Sequence, residues 1–106
     1  LDGFVVVTTP QELAKMDAVR SINMIRTLKV KVLGVVENFS GDVFGSGAGE
    51  DLARELDIPF LGRLELRSDY RDTSKPTVLN SKPVFSEYCY IADQTSAIIK
   101  ELDALS

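Results

Sequence analysis

The chain reads as an α/β protein built on a parallel sheet with flanking helices, and three observations predict it. Phe4–Val7 and Val32–Val36 are continuous apolar runs rich in β-branched residues, the pattern of strands buried on both faces. Each run is followed by a helical period rather than a two-residue turn, and strands joined by helices lie parallel. No repeat, linker or low-complexity segment interrupts the 106 residues, so 1–106 is expected to form a single domain.

The elements follow in order. After Phe4–Val7 comes Thr9-Pro10-Gln11-Glu12, a helix start. Thr9 is expected at the N-cap, Pro10 at the first helical position, where its missing N–H costs nothing, and Glu12 as the return partner of a capping box. Leu13, Met16, Val19, Ile22 and Ile25 recur every three residues, with Leu28 after them, and predict one apolar face; Lys15, Arg20 and Arg26 fall elsewhere on the surface. Val32–Val36 forms the second strand, and Glu37-Asn38-Phe39-Ser40 leads from its carboxyl end into a glycine-rich loop. A short helix is expected over 49–56, with Leu52, Ala53 and Leu56 on one face. Ile58–Gly62 begins a third strand, and 63–82 is polar and irregular with a helical turn at 68–73. A last helix is expected over 84–105, burying Tyr88, Ile91, Thr95, Ile98 and Leu102. Three strands are few for runs this apolar, so the pattern reads as part of a larger sheet whose other strands lie outside these residues. Leu1, rather than Met, stands first, which reads as a processed product or a piece of a longer protein.

Composition narrows the chemistry. Hydrophobic residues make up 44% and charged residues 26%, an ordinary globular balance. A net charge of −4 and a pI of 4.7 argue against nucleic acid and anionic membranes as partners. No basic n-region precedes an apolar segment, and no apolar run approaches the roughly 18 residues of a spanning helix. With no histidine, His-ligated metal sites and Ser-His or Cys-His pairs cannot come from this chain. The one cysteine, Cys89, fits a cytoplasmic setting and is expected to be a small buried hydrophobe on the last helix. Glu12 and Asp17 read as a cap and a surface charge, and Asp69-Tyr70-Arg71-Asp72 as a solvated turn.

The stretch FGSGAGEDLA, Phe44–Ala53, raises the question of a phosphate loop. A P-loop needs a Gly-Lys pair, and none exists in the chain. The dinucleotide pattern starts at Gly45 and Gly47, but its last place is Glu50. Asp42, Glu50 and Asp51 would also repel phosphate, so the run is expected to be a flexible loop and helix entry.

The order and spacing of TTPQELA (8–14), VLGVVENFSG (32–41) and VFGSGAGEDLARELDIPFLGRL (43–64) resemble the Mrp/ApbC family, P-loop ATPases related to MinD and ParA. The resemblance runs from Asp2 to Leu79 and covers the C-terminal half of that family's ATPase domain, a SIMIBI-type fold. It implies an ATP-binding protein concerned with iron–sulfur cluster assembly or delivery. ATP and Mg²⁺ would be bound in the complete protein, a P-loop half would lie upstream, and the protein would be a cytoplasmic homodimer serving iron–sulfur apo-protein targets. No cofactor is expected for this chain alone. The family's Cys-Pro-x-Cys segment is absent: Ser40-Gly41-Asp42 runs directly into Val43-Phe44-Gly45, which puts cluster binding by that route in question. Glu65 also stands where the family has a proline, in a loop near the nucleotide base. The alternatives are a MinD/ParA-like positioning ATPase and a non-catalytic α/β interaction module.

The resemblance implies nucleotide-binding roles for Asn38, Arg63 and Leu64, and no catalytic or metal-binding residue in this chain. Asn38 is the strongest candidate, because an amide at a strand's carboxyl end offers a donor and an acceptor side by side to an adenine edge. A turn-forming asparagine is the competing reading. Arg63 would approach the nucleotide or a partner subunit, or simply be solvated.

Overall fold

The computed structural model describes residues 2–105. Its elements are β1 (Phe4–Thr8), α1 (Glu12–Thr27), β2 (Val32–Ser40), α2 (Ala48–Glu55), β3 (Phe60–Glu65), a 3-10 turn (Ser68–Arg71), α3 (Thr77–Asn80) and α4 (Lys82–Leu105). The strands pair in the order β1-β2-β3, all parallel, with Thr8 opposite Glu37 and Glu37 opposite Arg63. The α/β architecture expected from the sequence is present, and the carboxyl ends of all three strands share one rim.

Each sheet face has its own core. On one face α1 and α2 pack through Ala18, Ile22, Ile25, Leu52 and Ala53 onto Val6 and Val35. On the other, α4 lies against β3 and β2, with Ile91 and Ile98 over Val36, Leu61 and Leu64. Leu61 fills the space above Gly34: a Cβ at Gly34 would lie 2.6 Å from Leu61 Cγ and 2.8 Å from the Pro59 carbonyl oxygen. Glycine is therefore required there for volume rather than for φ.

Several expectations need correction. β1 is not buried on both faces: Val6 and Thr8 are buried, but Val5 is 39% and Val7 59% exposed. As the edge strand, β1 is covered by α1 on one side, while α4 sits over β2 and β3. The capping box does not form. Gln11 is the N-cap of α1 with no side-chain cap bond, and the Thr9 hydroxyl donates to Gln11 Oε1 at 3.2 Å. Leu13, Met16 and Leu28 are exposed, whereas Ala18, Ile22 and Ile25 are buried. The cause is geometric: a strict period of three slips by about 60° per step on a helix of 3.6 residues per turn, so six such positions encircle the helix.

β2 continues through Glu37–Ser40, and β3 through Arg63–Glu65, into segments expected to be irregular. The short α3 lies within the 63–82 segment expected to be irregular. Along α4, Val84 is buried, Ile91, Thr95, Ile98 and Leu102 are half-buried, and Tyr88 is 44% exposed. Cys89 is exposed rather than buried, because it points away from the sheet that α4 packs on.

Candidate functional site

The carboxyl rim gathers Thr8, Glu37–Ser40 and Arg63–Glu65, with the glycine-rich loop arching from β2 to α2. This is the end of a parallel sheet where ligands bind in open α/β folds. The loop closes on itself, since Gly41 and Gly45 exchange two backbone hydrogen bonds, of 2.8 and 2.7 Å.

Glu37 sits at the centre. Its side chain is completely buried, and it accepts the Gly49 N–H at 2.8 Å on Oε1 and the Gly47 N–H at 3.3 Å on Oε2. A buried carboxyl group requires such donors. The first amides of α2 are therefore taken by the protein's own carboxylate, and the loop is not free to cradle a phosphate. Gly47 caps α2 at φ +99°, a left-handed conformation that glycine adopts without strain. The sequence reading passed over Glu37. Its signal is a lone carboxylate closing an apolar strand just ahead of a glycine run.

Asn38 is half-buried, and strand alternation puts it on the face opposite Glu37. Its Oδ1 accepts the Phe39 N–H at 3.0 Å, where Phe39 adopts φ +56°. The Asn38 NH₂ group has no protein acceptor among the described residues, and one oxygen lone pair is also spare. Arg63 lies on the α2 face: it meets Glu50 Oε2 at 2.8 Å and sits 5.4 Å from the Phe60 ring centroid. It borders an open groove of about 510 Å³ between β3, α2 and α4, with Phe60, Tyr90, Glu50 and Glu87. Leu64 is buried in the α4-side core, which keeps its side chain from reaching a ligand at the rim. The structure thus places all three residues on one rim but separates Asn38 from Arg63 across the sheet.

The strand that holds Arg63 is tied to α4. Glu87 accepts the Glu65 N–H at 3.2 Å and the Arg67 guanidinium at 3.2 Å. That bond to Glu87 is the largest cause raising the Arg67 pKa above its ordinary value, with the charges of Glu87, Glu65 and Asp69 acting in the same direction against desolvation. Among the described residues no group of three or more Cys, Asp or Glu side chains is placed to hold a metal ion, and no helix is long and apolar enough to cross a membrane.

Comparison with known proteins gives the context. Residues 1–99 match the ParA family model, described as a NUBPL iron-transfer P-loop NTPase. The chain is 33% identical over 112 residues to an iron-sulfur cluster carrier protein of Methanocaldococcus jannaschii, covering 96% of this chain and 37% of the relative. An iron-sulfur cluster carrier protein of Methanococcus maripaludis is 42% identical over 76 residues, covering 62% of this chain and 26% of that protein. The cytosolic Fe-S cluster assembly factor CFD1 of Candida glabrata is 38% identical over 81 residues, covering 67% of this chain and 28% of that protein. The chain therefore spans well under half the length of these curated relatives.

Proposed function

The chain belongs to the ParA-type family of iron-transfer P-loop NTPases, and from that premise we propose that it is the C-terminal portion of an ATP-binding domain that serves iron–sulfur cluster delivery. Its part in that domain is to extend the sheet and contact the nucleotide base, while the triphosphate and Mg²⁺ are held by a P-loop half outside these residues. The division follows from donor chemistry. The glycine-loop amides are committed to Glu37, whereas the Asn38 amide keeps open donors at the carboxyl rim. The base end of a nucleotide fits this chain's residues; its phosphate end does not.

Asn38 is the base reader in this reading. Arg63 closes the rim on the far face, and the backbone at Leu64 lines it. The unpaired edge of β1, whose exposed Val5 and Val7 lie on the face that α4 leaves open, is where the remaining sheet joins. Delivery to iron–sulfur apo-proteins and a cytosolic location accompany this reading, supported by the names of the relatives, and dimerisation is proposed with them. Cys89 is the only thiol in the chain, so cluster ligands come mainly from elsewhere in the complete protein or its partners.

The open donors of Asn38 carry the proposal, and Asn38→Ala in the intact protein tests it. ATP and GTP affinities are measured by titration. The expected outcome is a loss of about 1–3 kcal/mol for ATP and a collapse of the ATP-over-GTP preference. Unchanged preference in a folded variant refutes the assignment.

A further inference from the structure

A carboxyl group with no accessible surface, at the middle of a ligand-binding rim, calls for an account of what it holds. Glu37 uses both oxygens, one for each of two amides at the start of α2. That is the place where helices favour an anion. The packing admits no slack. A Cβ at Gly49 would lie 2.9 Å from Glu37 Cβ and 3.3 Å from Phe60 Cε1. The next residue, Glu50, takes Arg63 at 2.8 Å, and Arg63 is the strand neighbour of Glu37 and lies over Phe60. The contacts form a closed ring: Glu37 to the glycine loop, the loop to Glu50, Glu50 to Arg63, and Arg63 back to Glu37 through the sheet.

We infer that Glu37 is a positioning residue for the nucleotide rim, an internal anion that clamps the start of α2 so that Glu50 holds Arg63 and the end of β2 presents Asn38. This rests on the nucleotide reading above and adds to it the group that sets the rim's geometry. Glutamine at this position keeps the volume of Glu37 but offers one oxygen, so its NH₂ faces one of the two amide donors and that hydrogen bond is lost.

The experiment uses the intact protein with Glu37→Gln, Glu50→Gln and, as a packing control, Ile22→Val. The probes are ATP and GTP titration and amide hydrogen exchange at Gly47 and Gly49, read by NMR. Glu37→Gln is expected to speed exchange at one of these glycines about tenfold and to weaken ATP about 3- to 30-fold. Glu50→Gln, on the exposed rim, weakens ATP about threefold without lowering the melting temperature. Ile22→Val destabilises the core and leaves ATP affinity unchanged. Wild-type affinity in Glu37→Gln with protected glycine amides overturns the role. So does an equal affinity loss in Ile22→Val, which marks the effect as stability alone. If Glu37→Gln does not fold, wild-type affinity in Glu50→Gln overturns it. A wild-type protein that binds neither nucleotide overturns the nucleotide reading itself, and the positioning role with it. A wild type that binds while Glu37→Gln binds ATP equally tightly overturns only the role of Glu37.

Discussion

Replacing Gly49 by alanine separates two reasons for keeping a glycine. Gly49 is the second residue of α2, where alanine by itself favours the helix by about 0.8–1 kcal/mol. Against that stands the contact geometry. The new Cβ would be 2.9 Å from Glu37 Cβ, 3.3 Å from Phe60 Cε1 and 3.4 Å from Glu37 Oε1. Glu37 is fully buried in a strand, so relief requires backbone movement of β2 or α2. Overpacking of this kind costs about 1–3 kcal/mol. Loosening the Glu37–Gly49 bond leaves a buried donor and acceptor unsatisfied, a further cost of about 1–3 kcal/mol. The net expectation is a destabilisation of about 1–5 kcal/mol. Gly47→Ala is the comparison: its φ is +99° but nothing lies within 4 Å of the new Cβ, so its cost is backbone strain of about 1–2 kcal/mol. Urea unfolding of the chain measures both through their midpoints at unchanged m-value. Gly49→Ala is expected to be the more damaging, the reverse of the order that helix propensity and φ predict. A Gly49→Ala chain as stable as wild type, or more stable than Gly47→Ala, refutes the reasoning.

Leu61→Ala removes a fully buried side chain from between β2 and α4 and is expected to cost about 2–5 kcal/mol in the same assay. The chain is expected to self-associate with rising concentration through the open β1 edge, and Val7→Lys to suppress it; light scattering showing a strict monomer for wild type counts against this. The Asp72 pKa is lowered by the Ser74 hydroxyl and then by the Ser74 backbone N–H. The folded pKa lies below the unfolded one, so this contact stabilises above the ordinary aspartate range and its contribution is lost as pH falls through the folded pKa. Ser74→Ala should raise the Asp72 titration midpoint, followed by carboxyl NMR shifts; an unmoved midpoint disproves the contact.

What the sequence could express was local. β-Branched runs, proline and glycine punctuation and the alternation with helices located all three strands and the main helices. Failures arose where the answer depended on neighbours. Val5 and Val7 look like core residues, yet their exposure depends on how far α4 reaches across the sheet. The triplet spacing in α1 resembles a face only until helical geometry is applied to it. Cys89 follows residue-type statistics in the reading and helix orientation in the structure. Asn38 can be proposed from the sequence because its amide chemistry is its own, and the structure leaves its NH₂ open. Glu37 cannot, because its hydrogen bonds run to amides ten and twelve residues ahead.

The fit of Leu61 over Gly34 also bears on how this chain can diverge. The two positions share one volume, with backbone on the far side that cannot yield. A methyl group gained at 34 must be met by a smaller residue at 61, and a smaller residue at 61 opens room that a larger one at 34 can claim. Neither site drifts freely, although each alone looks like an ordinary strand position. Among distant descendants of this sequence, substitutions at 34 and 61 should arrive as pairs that conserve their summed size, an inherited trace of contact between adjacent strands.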